Sequence, residues 1–479
     1  MTQSILGARV ASAAPADAAA SGSAGAVPAG ASLPTTFYQR ADLVLAGTDA
    51  DLARFFPGDP GVRQPVHTCY IPADLVTVDT PAEWGRAAQA AADEAGGLQV
   101  LAELAGLTGD GVSDVVDRVA AKLQSEPIED LRLDLEDGFG NRSDGEEDAA
   151  AAQAARTVAQ FAINRANGSA PAPAFAGIRF KCFEEATRAR GLRSLDVFVS
   201  TLVREGGLIE AGVSADGLPA GLVLTLPKVS SVEQVQVMVE ACQALEDALG
   251  LPNGRLRFEI QMETAPMILG LDGTCLIPAM LRAAEGRATS LHYGTYDYSA
   301  SLGISAQFQS MEHPAADFAK NVMQVAVAGT GVHLSDGSTN QLPVGDAEQR
   351  RDSWALHARL VRRSLERGYY QGWDLHAHQL PTRFLTNYAF YRDGFDAAAH
   401  RLEVYSRRSV PGIEAADVAD EPATARALAR YILRGTLCGA VTEDKLRTAG
   451  LSPETVSSVA KTGVAAPSNA EHSETGETR

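Results

Sequence analysis

Five short stretches of this chain set charge or imidazole on one strand face and apolar side chains on the other, and that recurrence limits the folds open to it. The sharpest is Leu131-Arg132-Leu133-Asp134-Leu135-Glu136-Asp137-Gly138, where three leucines alternate with Arg, Asp and Glu until Asp137-Gly138 breaks the run. Gly177–Lys181 sets Ile178 and Phe180 against Arg179 and Lys181, and Leu256–Glu263 sets four apolar residues against Arg257, Glu259, Gln261 and Glu263. Leu291–Asp297 ends in an acid and Trp373–His376 in an imidazole. One such strand could simply face water. Here the longer gaps read as helix, so helices cover the apolar faces and the polar faces converge inside a closed parallel barrel. Charges meeting there must pair or bind a metal, because an isolated buried charge is too costly.

The sequence therefore predicts an α/β fold, a (β/α)8 TIM barrel with its polar lumen opening at the strands' C-terminal ends. Eight strands are expected: Val66–Ile71, the five above, Leu222–Leu226 and the weaker Val332–Ser335. Helices are expected from Thr80 to Gly96, Ser113 to Leu123, Asp144 to Asn167, Ser194 to Glu205, Ser231 to Gly250, 274 to 285, His313 to Ala328 and Asp346 to Arg367, with Pro381 opening a last one. The expected division is a disordered Ala/Gly/Ser-rich lead at 1–33, the barrel at 34–408, a helical extension at 409–463 and a disordered tail at 464–479.

Composition narrows the function classes. Asp and Glu number 60 against 41 Lys and Arg, a net charge of -19, which opposes nonspecific binding to nucleic acid or anionic lipid. An anionic substrate would need a local metal or arginine. The five cysteines, Cys69, Cys182, Cys242, Cys275 and Cys438, have no C-x-x-C spacing, so neither a disulfide framework nor a zinc site is expected. That usage fits a reducing cytoplasm. The first 32 residues lack a basic start and a continuous apolar core, unlike a secretory signal, and no stretch approaches a membrane span.

Leu133-Asp134-Leu135-Glu136-Asp137, Ile178-Arg179-Phe180, Leu226-Pro227-Lys228, Glu259-Ile260-Gln261-Met262-Glu263-Thr264, Tyr293-Gly294-Thr295-Tyr296-Asp297 and Leu375-His376-Ala377-His378-Gln379 follow one another over roughly residues 66 to 380. In that order they resemble the citrate lyase β-subunit-like branch of the HpcH/HpaI aldolase superfamily, related to malate synthases. The resemblance implies a barrel that uses Mg2+ or Mn2+ to make or break a carbon-carbon bond beside a carbonyl, and a homo-oligomer. It assigns metal binding to Glu263 and Asp297, oxyanion stabilisation and substrate binding to Arg179, and base or outer roles to Glu136 and Asp137. Lys228 and His376 fall at strand ends where a substrate carboxylate or phosphate would lie.

The expected activity is a cytoplasmic, metal-dependent carbon-carbon lyase acting on a small oxo- or hydroxy-carboxylic acid or its thioester through an enolate. Three alternatives stay open: Claisen-type condensation on an acyl-coenzyme A, a phosphoenolpyruvate-using reaction, and an accessory subunit serving a carrier-protein partner. His67-Thr68 stand where the family carries Arg-Ser, and the final motif lacks its proline, so the use of a coenzyme A thioester stays open. Each residue also has a plainer reading. Glu263 and Asp297 could balance Arg179 and Arg257, Asp137 before Gly138 suits a turn, Lys228 could pair with Glu136 or Glu263, His292 reads as a satisfied lumen histidine, and Lys181 is a weaker candidate for a Schiff base.

Overall fold

The computed structural model describes residues 32–109, 111–408 and 421–464. The expected disorder at 1–31 and 465–479, and the chain at 409–420, lie outside the described residues. Eight strands run in parallel: β1 (His67–Pro72), β2 (Asp130–Asp134), β3 (Phe175–Arg179), β4 (Leu224–Leu226), β5 (Phe258–Met262), β6 (Ala288–Tyr293), β7 (His333–Ser335) and β8 (Gly372–Asp374). Their order is β7-β6-β5-β4-β3-β2-β1-β8. A parallel bridge from Ser335 to Gln371 joins the two ends, so the sheet closes as a (β/α)8 barrel.

The leucines of the 131–135 stretch are all fully buried against the helical layer. Each such burial contributes about 1.5–3 kcal/mol relative to exposure. The opposite face supplies Arg132 and Asp134, also buried, to the lumen. The helix Asp144–Asn167 begins where a capping box forms: Ser143 accepts from the Glu146 N–H, and the Glu146 carboxylate accepts from Ser143 N at 2.9 Å. It ends on Gly168, at φ 60°. Asp346 and Gln349 start the helix Ala347–Glu366 in the same way.

Several boundaries differ from the expectation. The strand containing Asp134 stops there, leaving Glu136 and Asp137 in the following loop. β6 ends at Tyr293, and Asp297 lies in the first turn of the helix Thr295–Ser301. Lys181 is beyond β3 and turns outward, 2.8 Å from Glu147 on the helix Asp144–Asn167, so its amine is an ion-pair partner. The long gap between β1 and β2 holds three helices, Thr80–Glu94, Leu98–Leu104 and Val112–Ser125. The long helix Leu380–Arg408 carries the C-terminal helices Pro422–Leu437, Glu443–Thr448 and Pro453–Thr462, with Tyr431 Oη donating to the Phe390 carbonyl at 2.5 Å. A further helix, Thr35–Phe55, buries none of its own residues and, as far as Arg54, belongs to a separate compact unit. All five cysteines are unpaired. No helix among the described residues is long and apolar enough to cross a membrane.

Candidate active site

The middle of the lumen is a closed electrostatic cluster centred on Arg132. Its guanidinium meets both oxygens of Asp130, both oxygens of Glu259 (2.8 and 3.1 Å) and Thr225 Oγ1 at 3.0 Å. Thr68 hydrogen-bonds Asp130, and Tyr70 hydrogen-bonds Glu259. Burial would raise the Glu259 carboxyl's pKa, yet Arg132 and the neighbouring His292 outweigh it and hold the group far below the usual range. His292 Nε2 lies 3.0 Å from Glu259, but neither ring nitrogen completes a hydrogen bond among the described residues, so the histidine expected to be satisfied is not.

One layer higher, Asp134 and Arg179 are register partners on β2 and β3, and the carboxylate takes the guanidinium in a fork, at 2.7 Å to Nε and 2.6 Å to Nη2. The remaining nitrogen, Nη1, points towards Gln261 Oε1 at 3.5 Å and Glu136 at 3.7 Å. Arg179 is thus oriented by Asp134, a residue absent from the sequence-derived site. The signal was present, since Asp134 shares the polar face of Arg132 and is the last residue of the strand. Gly138 N also donates to Asp134, and a Cβ on Gly138 would come within 2.7 Å of that carboxylate.

Lys228 joins the loops above this layer. Its φ of 49° is left-handed, a conformation that a residue with a side chain seldom adopts without a local reason. The consequence is visible: its backbone N–H donates to Glu263 at 2.8 Å, while its ammonium reaches Glu136 at 2.7 Å and Asp137 at 2.6 Å. Asp297 stands 4.0 Å from the same ammonium. Sequence reasoning left Lys228 between Glu136 and Glu263. The structure divides it, side chain to one and backbone to the other.

Glu263 follows β5 and is 2% exposed. Burial and the negative charge of Asp297 push its carboxyl up to about 7, against the opposing pull of Arg179 and Lys228. Gly294 leaves the room that this carboxylate occupies, because a Cβ there would lie 2.6 Å from Glu263 Oε2. Asp297 is 47% exposed at the mouth. The two carboxylates offer hard oxygen donors and leave other positions to water or substrate, which fits Mg2+ or Mn2+. No group of three or more His, Cys, Asp or Glu that could hold a metal occurs among the described residues.

Glu136 and Asp137 are pushed apart. Burial raises Glu136 above its ordinary value, only partly offset by Arg179 and Lys228. Burial would also raise Asp137, but hydrogen bonds with Lys228 and Glu136 prevail and lower it. His376 stands just past the C-terminal end of β8. It caps a short turn after β8, with Nδ1 accepting from His378 N at 3.2 Å, and its ring packs 4.4 Å from that of His378. Among the described residues no hydrogen bond or ion pair ties it to Glu263, Asp297, Arg179 or Lys228. Burial and His378 lower its pKa, keeping the imidazole neutral at neutral pH.

Comparison with solved structures finds a citrate lyase from Burkholderia xenovorans, 16% identical, covering 82% of this chain and 98% of that one, with a TM-score of 0.52. That likeness supports the barrel fold. A lead(II) complex of malate synthase from Haloferax volcanii is 16% identical and covers 68% of this chain and 74% of that one, with a TM-score of 0.44. An HpcH/HpaI aldolase/citrate lyase family protein from Burkholderia cenocepacia is 14% identical and covers 68% and 93%, with a TM-score of 0.36. No curated protein matches the sequence. The family model that matches, over residues 45–464, is described as a domain of unknown function (DUF6986), and the chain belongs to that family.

Proposed function

We propose that this barrel is a divalent-metal-dependent carbon-carbon lyase that cleaves a small hydroxy- or oxo-carboxylic acid, or its thioester, through an enolate. The observation that carries the reading is Glu263, a buried carboxylate at a strand's C-terminal end whose pKa reaches about 7 beside a second acid, Asp297. A site that leaves two carboxylates short of positive charge suits a cation. When bound there, a divalent ion supplies Lewis-acid charge where the enolate oxygen develops.

The chain's own residues account for the remaining steps. Asp137, kept ionised by Lys228, accepts the proton of the substrate hydroxyl; the carbon-carbon bond breaks and its electron pair passes into the enolate. Glu136, its carboxyl raised by burial, would return a proton to the enolate carbon. Arg179, fixed by Asp134, turns Nη1 towards the developing oxyanion. Lys228 holds the Glu136–Asp137 pair in register with Glu263. Run backwards, the same groups would condense the two fragments, so cleavage and Claisen-type condensation share this site.

The test is calorimetric titration of Mg2+ and Mn2+ into the wild type, Glu263→Gln and Asp297→Asn, with and without pyruvate, followed by a cleavage screen of hydroxy acids and their coenzyme A thioesters. Binding that needs both carboxylates and tightens with the 2-oxo acid is expected. Equal binding by folded variants, or none by the wild type, would remove the assignment.

A further inference from the structure

The polar stripe of β5 does not stop at Glu259. Arg257, just before β5, falls on that face two residues earlier, at the opposite end of the barrel from Glu263, and six residue steps of extended chain span about 20 Å. There a cavity of about 550 Å3 opens on the N-terminal side of the strands. Part of its wall is apolar, from Pro57, Pro60, Leu222 and Val223.

Four arginines line this cavity, and three are spent. Arg63 pairs with Glu126 and Glu129, Arg132 with Asp130 and Glu259, and Arg255 with Asp216. Among the described residues Arg257 has no carboxylate partner and reaches only the Gly286 carbonyl, at 3.4 Å. Two lining side chains deeper in are also unmatched: Ser290 Oγ, on a residue 6% exposed, has no hydrogen-bond partner, nor has Nδ1 of the fully buried His292. Ser290 is the register partner of both Glu259 and His333, which places it in the lumen wall above Arg257. Burial keeps His333 neutral, with a pKa of about 4, so it offers a ring N–H without competing charge.

We propose that this second mouth of the barrel binds a small organic oxyanion, a carboxylate or phosphate ester with an apolar body, with Arg257 as counter-charge and Ser290 as a donor. The Asp130 and Glu259 carboxylates at the inner end are already held by Arg132, so the guanidinium of Arg257 is the open charge. Partial desolvation, with no carboxylate to offset it, lowers the pKa of Arg257.

The test is calorimetric titration with inorganic phosphate and, separately, benzoate, so that the two arms distinguish the head groups. Saturable binding of either probe is expected, weakened about tenfold or more by Arg257→Gln, less by Arg257→Lys, and unchanged by Glu263→Gln. Arg257 is exposed enough that both variants should fold, which circular dichroism checks. Binding of neither probe, or binding indifferent to Arg257→Gln, would overturn the proposal and leave a solvent-filled vestibule. Because Glu263 lies at the other mouth, failure here leaves the lyase reading intact, and failure of that reading leaves this one.

Discussion

The middle and the upper end of the lumen are built from the same residue types and behave oppositely. Around Arg132, two carboxylates, a threonine and a tyrosine satisfy one another, and Glu259 stays ionised far below its usual range. Around Glu263, one layer from the solvent, the acids outnumber the nearby cations and the carboxyl drifts to about 7. A buried charge that is fully paired stabilises a conformation, whereas one left partly unmatched is available to a ligand. The contrast separates scaffold from site without reference to any relative.

Breaking the paired cluster should have the largest effect. Arg132→Ala strands Asp130 and Glu259 without their counter-charge, and a loss of about 3–5 kcal/mol in unfolding free energy is expected by urea denaturation. A loss below about 1 kcal/mol would mean that the middle of the lumen is not the scaffold described. At the mouth the balance should invert. Glu263→Gln is expected to abolish divalent-ion binding and to lower turnover by about 10²–10³-fold, while its melting temperature holds or rises.

The pH dependence sharpens the same contrast. Glu263 has a folded pKa of about 7 against an ordinary value of 4.5, so between these limits the folded state holds the extra proton. Stability from this group is complete below pH 4.5 and falls as pH rises towards 7, by at most about 3 kcal/mol in the metal-free protein. Denaturation curves of the wild type against Glu263→Gln should show that slope only in the wild type, and saturating Mg2+ should flatten it. A wild-type slope indistinguishable from the variant's would place the carboxyl in a better-matched environment. The smallest effect is expected from Asp137→Asn. Asp137 is more than half exposed and its charge is shared with Lys228, so stability should change by less than about 1 kcal/mol even where turnover drops.

The legible part of the fold was its periodicity. Leu131, Leu133 and Leu135 against Arg132 and Asp134 announce a strand with two unlike faces whatever surrounds it, because successive side chains must point to opposite sides. Cap residues such as Ser143 and Asp346 mark helix starts for equally local reasons. What failed to read was whatever depends on where a strand stops. Extending β6 to Asp297 put that acid on a strand, whereas Gly294 ends the strand and a new helix carries it. The strand expected over Trp373–His376 likewise stops at Asp374, and His376 caps the turn that follows.

By itself the sequence determined the alternation of short two-faced strands with capped helices, the concentration of charge on the inner faces, and the candidates Arg179, Lys228, Glu263 and Asp297. Only the tertiary structure decided which charges are spent and which are open. Pairing depends on register between strands distant in the chain, as when Asp134 meets Arg179 or Arg132 reaches across to Glu259. Those distances set the Coulomb and desolvation terms that hold Glu259 ionised and leave Glu263 near neutrality, and no local pattern encodes them.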